Sequence, residues 1–126
     1  MLFPEDQVRI WLYTQPTDMR KSYNGLSTLV KQRLGEDPLS GQLFVFINRK
    51  HTQMKILYFD RSGYCVWSKR LEQGQFHTVT GEALRHALSW TDLKLIIEGI
   101  DVQSIRRFKR YKHPNKTVQT SQYQGV

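Results

Sequence analysis

Cysteine is almost absent from this chain: Cys65 stands alone among 126 residues. An intrachain disulfide framework is therefore excluded, and the composition fits a reducing compartment. No apolar run approaches the roughly 18–20 residues that a membrane-spanning helix needs. The opening residues, MLFPEDQVRIW, lack a basic stretch followed by an apolar one, so no signal peptide is expected. These shortages point to a cytoplasmic protein with no membrane partner. Metal-ligand spacing is missing too, because His51, His77, His86, His113 and Cys65 form no paired set. A two-metal nuclease clusters carboxylates, whereas Asp18, Asp60 and Glu98 fall on separate elements. With no phosphate loop and no nucleophile motif, the chain is expected to need no cofactor and to be no enzyme.

Acids are also missing from residues 102–126, where Arg106, Arg107, Lys109, Arg110, Lys112 and Lys116 give a charge of +6. The whole chain carries +8, so the remaining residues are nearly balanced. Hydrophobic residues make up 39%, enough for one folded core in a chain of this length. A charge surplus of this kind favours an anionic partner, nucleic acid foremost.

The apolar pattern predicts an α+β fold. Val8, Ile10 and Leu12 alternate with Arg9, Trp11 and Tyr13, the period of a strand. Pro16 ends it, and Thr17 is placed to cap a helix over about residues 18–34. Met19, Tyr23, Leu26 and Val30 form the apolar stripe of that helix, and Gly35 suits its C-terminal cap. Leu43–Ile47, an unbroken LFVFI, reads as a central strand covered on both faces. Met54–Phe59 and Tyr64–Trp67 follow as strands, joined by an Asp60–Gly63 turn in which Gly63 takes the positive φ. Phe76–Thr80 is read as a short strand and Gly81–Ser89 as a short helix. Thr91 then caps a helix stopped by Gly99, and residues 103–112 read as a basic helix. The expectation is one α+β domain over 1–101: an antiparallel β-meander of about four or five strands packed with two or three helices. A basic C-terminal tail over 102–126 follows it.

Three groups of cations are candidates for phosphate contact. Arg20, Lys21 and Ser22 sit at the expected helix start, where the macrodipole disfavours cations and free N–H groups favour an anion. The competing reading pairs Arg20 with Glu5, Asp6 or Asp18. Arg49 and Lys50, with Asn48 and His51, form a basic hairpin tip, expected to be mobile and to position a nucleic-acid backbone without reading bases; the competing reading is an ordinary charged tip that serves solubility. Lys69 and Arg70 close the third strand of the meander, and Arg106, Arg107, Lys109 and Arg110 lie in the tail. Phe44, Phe46, Tyr58, Phe59, Tyr64 and Trp67 are candidates for base stacking, but most are needed for the core. Cys65 is expected to be a buried, inert thiol.

These residues carry a family resemblance. Arg9-Ile10-Trp11-Leu12, Thr17-Asp18-Met19-Arg20-Lys21-Ser22 and Asn24-Gly25-Leu26 are followed by Asp37-Pro38-Leu39-Ser40-Gly41, Leu43-Phe44-Val45-Phe46 and Asn48-Arg49-Lys50. Lys55-Ile56-Leu57, Gly63-Tyr64-Cys65, Lys69-Arg70-Leu71-Glu72-Gln73-Gly74-Gln75-Phe76 and Gly99-Ile100-Asp101 complete the set. In this order the chain resembles the TnpB-type accessory protein, the second open reading frame product of bacterial insertion sequences of the sixty-six family. The resemblance implies a non-catalytic accessory role in DNA transposition beside a separate transposase. It transfers no catalytic residue. DNA and the transposase of the same element are the implied partners. The alternative is a protein–protein adaptor for the transposase that makes no direct contact with DNA.

Overall fold

Five consecutive apolar residues, Leu43–Ile47, form strand β2, and all five are buried. Side chains alternate between the two faces of a strand, so burial at every position requires cover on both sides. The computed structural model describes residues 8–79 and 81–100, and it shows that cover. Strands β1 (Ile10–Tyr13), β2, β3 (Gln53–Asp60), β4 (Gly63–Arg70) and β5 (Arg85–Leu88) form one sheet in the order β4-β3-β2-β1-β5. Helix α1 (Tyr23–Leu29) continues into a π-helical turn at Val30–Leu34, and helix α2 is Trp90–Ile97. On one face Leu43, Val45 and Ile47 pack with Ile10, Leu12, Met54, Ile56 and Phe76 and with Leu93 and Ile96 of α2. On the other, Phe44 and Phe46 pack with Tyr13, Leu57 and Leu26, Val30 and Leu34 of the α1 segment.

The α+β class and the β2-β3-β4 meander match the sequence expectation. Pairing is antiparallel throughout the meander and between β1 and β5. The β1–β2 pair, however, is parallel, with Ile10 opposite Leu43 and Leu12 opposite Val45. Parallel neighbours need a crossover connection, and the α1 segment supplies it.

Several local expectations are corrected. Thr17 does not cap α1. It is buried, and its N–H donates to the Ile47 carbonyl at 2.9 Å. Asp18 spends its carboxylate on the Arg20 N–H at 2.9 Å, a local turn that competes with helix. The helix therefore starts at Tyr23, with Ser22 in the cap position but making no side-chain cap bond. Gly35 does end the segment, at φ 66°, a conformation that glycine adopts without steric cost. In the β3–β4 turn the positive φ (57°) falls on Arg61, because Gly63 is already paired with Asp60 in the ladder. Residues 76–79 are not a strand, and Phe76 instead plugs the α2-side core. Residues 85–88, within the Gly81–Ser89 stretch read as a short helix, are β5. A helix that short is marginal by itself, and the open edge of β1 offers four ladder positions. Helix α2 is capped by Ser89, whose Oγ accepts the Asp92 N–H at 3.0 Å, and not by Thr91. Gly99, at φ 76°, closes it as expected. The helix read at 103–112 lies outside the described residues.

A polar network fastens β5 to the crossover. The Arg85 guanidinium stacks 4.5 Å from the Trp11 ring centroid and pairs with Glu36. Gln42 donates to Glu36 at 3.1 Å and accepts from the Trp11 indole at 2.8 Å. The Gln42 bond, with the charge and hydrogen bond of Arg85, holds the Glu36 carboxyl below its ordinary range against the opposing effect of burial.

Cys65 is half-buried, not enclosed as expected. It faces Tyr58 across the β3–β4 ladder. Burial, then the contact with Cys65, pushes the Tyr58 hydroxyl up to about 12. Of the aromatic stacking candidates, Phe44 and Phe46 are fully buried, and Tyr58, Phe59, Tyr64 and Trp67 are half-buried.

Two predictions follow from the packing. Phe44→Ala, at a fully buried position, lowers unfolding free energy by about 3–5 kcal/mol in chemical denaturation. The folded-state value of Tyr58 lies above its ordinary 10.0, so the unfolded chain loses that proton first. Its contribution to stability is therefore intact below about pH 10 and declines toward pH 12. Denaturation midpoints across that window should fall less steeply for Tyr58→Phe than for the native chain.

Candidate nucleic-acid interface

The parallel run of β1 beside β2 decides where the cations meet. It places the C-terminal ends of β1, β2 and β4 and the N-terminal end of β3 at one end of the sheet. The chain leaves β1 there as the loop through Thr17, Asp18 and Arg20, and leaves β2 there as the Asn48–Thr52 turn. Between the two lies an open depression of about 610 Å³, lined by Thr17–Arg20 and by Asn48, Arg49, Lys50, Thr52 and Gln53. Arg20 and the pair Arg49 and Lys50, distant in sequence, thus share one surface.

The turn that presents Arg49 and Lys50 is fastened, contrary to the mobile tip expected. Asn48 accepts the N–H groups of Thr52 and Gln53 through its side-chain oxygen, at 2.8 and 3.0 Å. The segment after β4 then ties the turn from behind. Leu71 N–H donates to the Thr52 carbonyl at 2.8 Å, and Phe76 N–H to the His51 carbonyl at 2.6 Å. The Gln75 amide donates to the Lys50 carbonyl at 2.9 Å. His51, at φ 59°, turns its Nδ1 to the Phe76 carbonyl at 3.1 Å, so this nitrogen carries the proton. The backbone is held while the Arg49 and Lys50 side chains remain exposed. Among the described residues no acid forms an ion pair with either.

Arg20 is different. Its guanidinium grips Asp18, with Nη2–Oδ2 at 2.6 Å and Nε at 3.1 Å from both oxygens. The Arg20 side-chain bond, then its backbone N–H, holds the Asp18 carboxyl at about 2. The reading that paired Arg20 with a neighbouring acid is the one observed. The expected conflict between Arg20, Lys21 and a helix dipole is absent, because both residues precede α1. Lys21 is exposed, and its stem lies over Gly25, where an added Cβ would come within 3.1 Å of it. Ser22 is exposed at the same loop.

The third expected group divides. Arg70 lies opposite Gln53, on the α1 side of the sheet beside this depression, and pairs with exposed Glu72 at 3.2 Å. Lys69 points to the other face, where its ammonium donates to the Ile97 carbonyl at 2.9 Å and caps the C-terminal end of α2. Cations are favourable at that end of a helix, which gives Lys69 a structural task. Arg106, Arg107, Lys109 and Arg110 lie outside the described residues. Lys55 was missed. It sits one position inside Gln53 on the α1 side, and its ammonium reaches the Lys21 carbonyl at 2.8 Å. A lysine between Met54 and Ile56 was the available signal, since alternation sends it to the face away from them. Gln75 was also missed, and nothing local marks it as the brace of the turn.

Among the described residues no three His, Cys, Asp or Glu side chains are grouped to hold a metal ion. None of their helices is long and apolar enough to cross a membrane.

Comparison with known proteins adds the family. A family model described as IS66 Orf2 like protein matches residues 8–107, which includes all five strands and both helices. Two Sinorhizobium fredii proteins are similar over nearly their whole length. The one titled "Uncharacterized protein y4hO" is 34% identical over 117 residues, covering 93% of this chain and 94% of the relative. The one titled "Uncharacterized protein y4jC" is 36% identical over 118 residues, covering 92% of this chain and 98% of the relative. No solved structure matches. The match across the whole sheet and both helices establishes that the chain belongs to the IS66 Orf2-like family, and with it an accessory role in the transposition of insertion sequences.

Proposed function

We propose that the protein acts in transposition by binding DNA through its phosphates, without catalysis, at the end of the sheet where Arg20, Arg49 and Lys50 meet. The observation that carries this reading is the fastened Asn48–Thr52 turn, which holds two exposed cations without acid partners. A fixed backbone suits positioning on a duplex, because phosphate contacts set register and carry no sequence information directly. Lys21 and Arg70 flank the same surface. Arg20 contributes less than its exposure implies, since Asp18 offsets its charge. The charge of +6 in residues 102–126 adds attraction of the same sign. The transposase of the same element is the protein partner in this scheme, and the bound DNA is brought to it.

The test compares the native chain with Arg49→Ala/Lys50→Ala on duplexes of different sequence between 50 and 200 mM salt. Losing two phosphate contacts makes the slope of log affinity against log salt shallower by about 2. Affinity should fall alike for element ends and for unrelated DNA. A selective loss on element ends replaces backbone contact with base reading. No change at any salt concentration removes the turn from the interface. A transposase pull-down that survives nuclease treatment, combined with no DNA binding by the native chain, replaces the whole reading with a protein–protein adaptor.

A further inference from the structure

Among the described residues two large apolar side chains stand exposed, Tyr23 at 48% and Leu39 at 53%. Leu39 lies in the loop before β2, at the end of the sheet away from the cations. Tyr23 lies at the cationic end. It is the first residue of α1 and follows Arg20 by three positions, a length of chain that spans at most about 11 Å. Its spacing from Leu26 and Val30 continues their apolar stripe, yet both of those are fully buried and Tyr23 is not. The cause is what the sheet presents near the helix start. Lys55 stands there, with its ammonium donating to the Lys21 carbonyl at 2.8 Å. Arg70 is the diagonal neighbour of Lys55, because Lys55 opposes Ser68 and Gln53 opposes Arg70. Lys21 lays its stem along Gly25 of the same helix. Cations therefore continue from the depression, past Arg70 and Lys55, to Lys21 and the exposed ring of Tyr23. An ammonium has three donors, so Lys55 keeps two for a phosphate.

A duplex turns phosphates and groove edges outward and keeps its base faces stacked inside. An aromatic ring on a phosphate-binding surface meets a base face only where the base is unpaired. We infer that Tyr23 stacks on an unpaired base, and that the DNA taken by this surface is a duplex continued by a single strand. This rests on the DNA-binding reading above and deepens it by naming the class of DNA. Arg49 and Lys50 hold phosphates of the duplex. Lys21 and Lys55 hold phosphates of the strand that leaves it, beside the base on Tyr23. Stacking of this kind tolerates any base, since every base has a π-face.

The experiment compares the full native chain with Tyr23→Ala and Tyr23→Phe. The probes are a blunt labelled duplex, the same duplex extended by a short thymidine single strand, and the same duplex extended by an abasic strand of equal length. The two extensions carry equal phosphate charge and differ only in bases. The native chain should bind the thymidine extension roughly tenfold tighter than the abasic one. Tyr23→Phe should keep that preference and Tyr23→Ala should abolish it, with affinity for the blunt duplex unchanged in both. Circular dichroism establishes that each variant folds. If the native chain binds the two extensions equally, or Tyr23→Ala retains the preference, the inference is overturned and duplex binding by the turn still stands. If Tyr23→Phe loses the preference as Tyr23→Ala does, the hydroxyl and not the ring makes the contact, and stacking is overturned. If Tyr23→Ala keeps every DNA affinity but no longer captures the transposase, Tyr23 is a protein contact, which also overturns it. If the native chain binds none of the three probes, the DNA-binding reading itself fails.

Discussion

Burial of β2 on both faces is the constraint from which the rest of the architecture follows. Leu43, Val45 and Ile47 need one apolar cover, and Phe44 and Phe46 need another. A single helix cannot supply both. The α1 segment takes one face and α2, with Phe76, takes the other. The same demand sets the neighbours of β2. A strand this apolar cannot sit at an edge without exposing unpaired backbone, so β1 and β3 enclose it. The outer positions fall to β4 and to the short, polar β5.

The parallel β1–β2 pair then gathers cations distant in sequence onto one candidate surface. A hairpin between these strands would have placed the Thr17–Ser22 loop elsewhere. The crossover through α1 brings the chain back so that both strands end on the same side. There the loop after β1 meets the turn after β2. Hydrogen bonds from Leu71, Gln75 and Phe76 reach that turn from the segment beyond β4. The cations are consequently displayed by a turn whose Lys50, His51 and Thr52 carbonyls are held from behind. Opposed to this, Asp18 neutralises Arg20 within its own turn. Arg49 and Lys50 are thereby the cations lining the depression that have no ion-pair partner among the described residues.

The candidate site was legible in part. Arg49 and Lys50 could be singled out because two adjacent cations at a hairpin turn form a compact basic projection able to track a nucleic-acid backbone. Arg20 was singled out for a conflict with a helix dipole that does not exist, since Asp18 turns the backbone before the helix can begin. Lys69 and Arg70 are adjacent in sequence and look equivalent. Strand alternation sends them to opposite faces, one to the end of α2 and one beside Gln53. Gln75 has no local mark at all, because its role depends on a partner 25 residues away.

By itself, the sequence determined the elements whose signal is local and strong. LFVFI announces a strand buried on both faces, Gly35 and Gly99 end their helices, and the spacing of turn residues yields the three-stranded meander. These follow from side-chain periodicity and from backbone conformations that few residues tolerate. Tertiary structure alone decided the parallel pairing of β1 with β2 and the conversion of residues 85–88 from a marginal helix into β5. Each of these depends on satisfying backbone hydrogen bonds between segments far apart in the chain. A free edge on β1 outweighs the helix propensity of Ala83, Leu84 and Ala87, because an unpaired buried N–H or carbonyl costs more than a few tenths of a kcal/mol of local preference.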